Sequence, residues 1–199
     1  MSKSRLIRLA ALAGIAGPIL FAAVLTGLTF SQADFMRTLG WNPLGPVIDW
    51  PSGLALGPHG WLMTVTFFLC GAMMAFFAYG LRLVFEERLT TTLLMIAGFA
   101  MMGLVFTTDP TLTTVTKSWH GLLHDSFFAL LGLTLMPGML LLGRVFQRNE
   151  RWKALAFYTW GTLALVIPTF WLKGLAFYVF LLAILTWSVV IALRLRATH

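Results

Sequence analysis

From Trp61 to Leu81 the chain carries no aspartate, glutamate, lysine, arginine or histidine, and the same is true from Leu89 to Phe106 and from Ala154 to Trp171. A hydrocarbon layer roughly 30 Å thick takes about 20 residues of helix to cross, so runs of this length constrain the fold more than anything else in the sequence. Three further runs, at Leu9–Phe30, Leu122–Leu142 and Gly174–Leu193, bring the number to six. A chain that is 59% hydrophobic and 11% charged has too little polar surface to cover a water-facing globule. Lipid offers a bare backbone no hydrogen-bond partner, so each run is a helix or a strand of a closed barrel. The runs are uniformly apolar, without the alternation of barrel strands, and helices follow. The expected fold is all-α: a single domain over residues 1–199, a bundle of six transmembrane helices with approximate spans 9–30, 61–81, 89–106, 122–142, 154–171 and 174–193.

Basic residues orient the bundle, because cytoplasmic loops carry the lysine and arginine excess. Eleven of the fourteen fall in the N-terminal segment, the second-to-third and fourth-to-fifth connections, and the C-terminal segment; Arg37, Lys117 and Lys173 fall on the other side. Both termini are therefore expected in the cytoplasm, as an even number of crossings requires, and the plasma (inner) membrane is the expected location. Lys3, Arg5 and Arg8 before an apolar run resemble a secretory signal, but the run of about 22 residues is longer than a usual signal core and is expected to remain as the first span. Although the net charge is +7, the basic groups are juxtamembrane, so anionic lipid headgroups are the expected counter-ions and nucleic acid is not an expected partner.

The non-cytoplasmic end holds the polar chemistry. Its first loop, Ser31 to Gly60, is unusually long for a compact bundle and contains Pro43, Pro46, Pro51 and Pro58 with Trp41 and Trp50. It is expected to lie as a cap over the bundle, with the tryptophans at headgroup level and Leu54-Ala-Leu56 dipping toward the apolar layer. His59 opens the second span, and His120 and His124, four residues apart, share one face at the start of the fourth. Asp49, Asp109 and Asp125 belong to the same end. Imidazole and carboxylate are catalytic-zinc ligands, which makes His59, His120 and His124 candidate metal ligands and Asp109 or Asp125 a candidate general base. The plainer expectation is that His120 and His124 solvate the helix entry or bond a loop carbonyl, and that Pro58-His59 starts a helix which Trp61 anchors at the interface. Likewise Asp109-Pro110 is expected to turn the chain at a helix end, and Asp125 to be a first-turn acid favoured by the helix dipole. His199 is expected to be solvated.

Other classes are poorly supported. Ionisable groups are missing at depth in three spans, which disfavours a proton-coupled pump. There is no Walker loop, nucleophile elbow, dinucleotide fingerprint or evident internal repeat. Cys70 is the only cysteine, so it forms neither an internal disulfide nor a cysteine cluster. Gly71, Gly98 and Gly103 suit close helix contact. Pro18, Pro137 and Pro168 interrupt spans; kinks there would widen the bundle toward one face, which suits a lipid-accessible cavity and ordinary helix curvature equally.

Three segments carry a resemblance: Ser52-Gly-Leu-Ala-Leu-Gly-Pro-His-Gly-Trp61 running into the second span, Phe106-Thr-Thr-Asp-Pro110 leaving the third, and His120-Gly-Leu-Leu-His-Asp125 opening the fourth. In order and position they resemble the bacterial six-helix integral membrane family catalogued as domain of unknown function 998, over about Ala10 to Leu193. That resemblance implies the fold and no particular activity. A looser likeness, to membrane hydrolases of the alkaline ceramidase kind, implies a zinc site in which Ser52, Asp109 or Asp125, His59, His120 and His124 would act; that group has seven spans where six are counted here. The leading expectation is a non-enzymatic module, either an accessory subunit contacting other membrane proteins or a lipid-binding protein. A zinc-dependent lipid hydrolase and a haem- or quinone-binding subunit are the alternatives.

Overall fold

The computed structural model describes residues 2–171 and 175–198, and their regular structure is helical throughout. Helix α1 (Lys3–Ser31) starts at Ser2, whose hydroxyl accepts from the Arg5 N–H at 3.3 Å, and continues through Pro18. After α2 (Ala33–Thr38) and a 3₁₀ turn (Ser52–Leu56) come α3 (Gly60–Phe85), α4 (Arg88–Gly103), α5 (Trp119–Gln147), α6 (Lys153–Trp171) and α7 (Leu175–Thr198). Helices α1, α3, α5 and α7 are long and apolar enough to cross a membrane; α4 is a shorter apolar helix. Beyond Gly103 the chain tightens into successive three-residue turns, Leu104 N–H to Met101 O, Val105 N–H to Met102 O and Phe106 N–H to Gly103 O. The turn expected at Leu172-Lys173, and His199, lie outside the described residues.

The six long helices form a closed ring in chain order. Each of α1, α3, α4, α5 and α6 packs on the next, and α7 closes back onto α1. Side chains reach across the seams to backbone carbonyls or to other side chains. The Cys70 thiol meets the Gly17 carbonyl at 3.3 Å and the Ser188 hydroxyl donates to the Gly14 carbonyl at 3.2 Å. The Trp160 indole N–H donates to the Leu140 carbonyl at 3.2 Å, and that of Trp187 to the Thr159 hydroxyl at 3.1 Å. Two apolar clusters fill the ring's ends. At one end Phe146 stacks on Trp152, ring centroids 4.9 Å apart, with Phe85 edge-on to Trp152. At the other, Phe21, Phe67 and Met63 meet Met36, Trp41, Trp50 and Leu54 from the first loop.

That loop caps the ring, but not in the expected way. Trp41 and Trp50 are only 6% and 7% exposed, tucked under the cap rather than facing lipid headgroups. The Trp50 indole has better partners inside: its N–H donates to the Thr29 hydroxyl at 2.9 Å and its rings meet Phe177 and Tyr178. Gln32, buried at the end of α1, anchors the cap's return by donating to the Leu54 carbonyl and accepting the His59 N–H, each at 3.3 Å. Among the described residues, Trp61 and Trp119, at 64% and 69% exposed, are outward-facing tryptophans at this end.

Candidate functional site

Asp49 and Ser52 lie in the capping loop, on either side of Trp50-Pro51. The carboxylate of Asp49, a residue held at φ 57, accepts from both the N–H (2.8 Å) and the hydroxyl of Thr111, fastening the cap to the α4–α5 loop. Ser52, first residue of the 3₁₀ turn, reaches α5: its hydroxyl is 3.0 Å from Nε2 of His124. On the other side of that imidazole, Nδ1 lies 2.7 Å from the Phe106 carbonyl. A carbonyl only accepts, so Nδ1 carries the proton; Nε2 of the neutral ring is then the acceptor and the Ser52 hydroxyl the donor. His124 is buried, with both ring nitrogens engaged.

One turn earlier His120 Nδ1 makes the neighbouring bond, to the Thr107 carbonyl at 2.9 Å, and lies 3.0 Å from the Ser118 hydroxyl. The two histidines thereby stitch successive carbonyls of the 106–107 segment onto α5, the bonding role that the four-residue spacing permits. Ser118 caps α5, its hydroxyl accepting from the Gly121 N–H at 3.1 Å. Behind it Asp109 accepts from the Ser118 N–H and hydroxyl, each at 2.7 Å. A side chain at Gly121 would collide with that carboxylate, so glycine is required there.

Two expectations about the acids change. Asp109 does not end a helix, since α4 stops at Gly103; it closes the loop onto the start of α5. Asp125 lies beyond the first turn of α5 and pairs with Lys117 instead of the helix dipole. His59 stands apart, exposed at the start of α3 with no side-chain capping bond. Among the described residues no three histidine, cysteine, aspartate or glutamate side chains are grouped so as to hold a metal ion. The only carboxylate facing a histidine nitrogen in this group is that of Asp109, 3.9 Å from His120 Nδ1. The donor set thus fits hydrogen bonding better than zinc ligation, and the bond to Ser52 occupies the nitrogen that a haem iron would need on His124.

The bonds from Ser118, first through its hydroxyl and then its N–H, hold the Asp109 carboxyl below its usual value of 3.8; partial burial opposes them, and His120 and Lys117 add attraction. A lowered folded-state value means that the stabilisation is complete above 3.8 and is lost as pH falls below it through the folded value. Wild type should therefore unfold at higher temperature than Asp109→Asn at neutral pH, and the gap should narrow in thermal melts taken below about pH 4. A gap independent of pH would show that this carboxylate's charge does not stabilise the fold.

Two cavities adjoin these residues. One, about 170 Å³, lies within the ring and is walled almost wholly by apolar side chains of the six long helices and by Pro51. Its lining repeats at helical spacing, as in Gly14, Gly17, Pro18 and Phe21 on α1 and Phe128, Leu131, Gly132 and Leu135 on α5. The second, about 360 Å³, is a polar cleft under the cap, walled by Asp49, Thr108, Asp109, Thr111, Lys117, His124 and Asp125 among others. Pro51, Ser52, Phe128 and Phe177 belong to both walls. Sequence reasoning picked out the cleft's titratable groups; for the apolar chamber beside it the signal was the proline interruptions, of which Pro18 lines the wall, and the rest of its lining is indistinguishable from packing residues.

No curated protein and no solved structure matches the chain. A family model described as "Protein of unknown function (DUF998)" matches residues 15–194, which include all three of the polar segments described above, and the chain belongs to that family.

Proposed function

We propose that the protein holds a membrane amphiphile, its hydrocarbon chain inside the helix ring and its headgroup in the cleft beneath the cap. The observation that carries this reading is the shared wall: an apolar chamber and a polar cleft divided by Ser52, Pro51, Phe128 and Phe177. An apolar void of about 170 Å³ left empty forfeits on the order of 4 kcal/mol at about 24 cal/mol per Å³, so an acyl chain supplied by the bilayer is favoured there. The cleft bears Asp49, Asp109 and Asp125 against Lys117, and His124 besides. That balance selects a neutral or amine-bearing headgroup over a bare phosphate.

In this reading the ring crosses the membrane six times, through α1, α3, α4, α5, α6 and α7, with both termini and most of the arginines and lysines in the cytoplasm and the cap outside. Helix α4, about 24 Å long at 1.5 Å per residue, needs the three-residue turns through Phe106 to approach the full hydrocarbon thickness. Exposed Trp61 and Trp119 then stand at the outer interface.

Mass spectrometry of lipids extracted from protein purified in a mild detergent tests the reading. A neutral or amine-headed lipid should be enriched, at near-stoichiometric level, over the bulk membrane extract. Lipid indistinguishable from that extract would sink it.

A further inference from the structure

We propose that Ser52 is a nucleophile and His124 its general base, acting on the acyl carbonyl of an ester-linked amphiphile. The substrate class rests on the amphiphile reading above; the pair of residues rests on its own geometry. The Ser52 hydroxyl is 3.0 Å from Nε2 of His124, within the range over which an imidazole takes a proton from a nucleophile. The Phe106 carbonyl, 2.7 Å from Nδ1, fixes the tautomer that leaves Nε2 free to accept. Burial holds the ring in place, and the histidine is joined to the serine across 72 residues of sequence. Ser52 also stands where an ester would lie, at the boundary between a chamber for the chain and a cleft for the headgroup. A purely fastening serine has no need to sit on both walls.

The chemistry balances with water as the second reactant. Ser52 Oγ bonds to the acyl carbon as its proton passes to Nε2 of His124; the carbon–oxygen bond to the alcohol breaks, and that proton leaves with the alcohol. Water from the cleft then attacks the acyl-serine, giving a proton to His124. As the acid departs, His124 returns a proton to Ser52 Oγ. The imidazolium formed in each half is supported by a neutral carbonyl in place of the carboxylate of a serine–histidine–aspartate triad, so turnover is slow and acylation is the step to measure.

The test uses the full chain in nanodiscs and two alkyl fluorophosphonates, one short and one long, which lose fluoride as serine Oγ bonds to phosphorus. Intact-mass measurement should show a single adduct, peptide mapping should place it on Ser52, and Ser52→Ala should abolish it. His124→Gln should slow it by about 100-fold or more, the usual contribution of a general base. Wild-type protein of normal elution profile that takes no adduct at Ser52, or is labelled at Ser118 or Ser126 instead, overturns the proposal whether or not the variants fold. Equal labelling of wild type and His124→Gln also overturns it, by removing the base. The two readings fail separately. An adduct at Ser52 formed equally fast by short and long probes, with no enriched lipid, supports the nucleophile and counts against the amphiphile chamber. Enriched lipid with no adduct does the reverse.

Discussion

Gly71→Leu is expected to destabilise the protein by about 3 kcal/mol, the upper end of the usual range for overpacking. The cause is a contact between backbones. A Cβ placed on Gly71 would lie 2.6 Å from the Gly98 carbonyl oxygen and 2.6 Å from the Met102 nitrogen, and one placed on Gly98 would lie 2.5 Å from the Ala75 nitrogen. Helices α3 and α4 thus touch main chain to main chain, and neither a rotamer change nor a small side-chain shift can make room. In a membrane such close approach replaces the hydrophobic drive as the source of helix association, since lipid tails are as apolar as the side chains they would displace. Separating α3 from α4 would also open the ring beside α5, which α4 carries. Gly27→Leu is the control: a Cβ there meets nothing within 4 Å, and the helix gains propensity from losing a glycine. Unfolding in mixed micelles should separate the two variants clearly, and equal stabilities would mean that the α3–α4 contact contributes little.

The apolar runs made the long helices legible, because the backbone's need for internal hydrogen bonds leaves little else for such a run to become. Their order around the ring was not legible. A span that is apolar on every side has no polar face to say which neighbour it turns toward, and the ring closes through glycines and single bonds such as Ser188 to Gly14. Gly71 and Gly98 were recognisable as small-residue contacts, though nothing in their spacing says that they meet each other.

The candidate site was legible as a set of residues and illegible as a set of bonds. His120 and His124 do share a face of α5, but each finds its partner in another segment. Where those segments sit depends on how the cap folds, with Asp49 reaching Thr111 and Ser52 reaching His124. The same holds for tryptophan. Trp50 and Trp61 look alike in sequence; one is buried against Thr29, Phe177 and Tyr178 and the other faces outward. Asp109-Pro110 has the pattern of a turn at a helix end, yet α4 had already ended at Gly103, leaving the carboxylate to close the loop against Ser118. Local pattern predicted the turn chemistry, and long-range contact decided what it was for.

Gly132→Leu should reduce the amphiphile bound in the ring by at least about tenfold, a loss of about 1.4 kcal/mol, while leaving the fold intact. Gly132 stands in the middle of the α5 face that lines the chamber, between Phe128 and Leu131 on one side and Leu135 and Met136 on the other. A Cβ added there meets nothing within 4 Å, so a leucine has room to extend into the space assigned to the acyl chain. Glycine inside a helix is up to about 1 kcal/mol worse than leucine, so thermal stability should hold or rise while lipid occupancy falls. That opposition is the diagnostic result, since a variant that loses lipid by misfolding loses both. The polar cleft is untouched by the change, and the short fluorophosphonate should still reach Ser52 at its wild-type rate as the long one slows. Full lipid occupancy in a stable Gly132→Leu protein would mean that the chain lies outside the ring, against the lipid-facing surface, and that the chamber has no part in binding it.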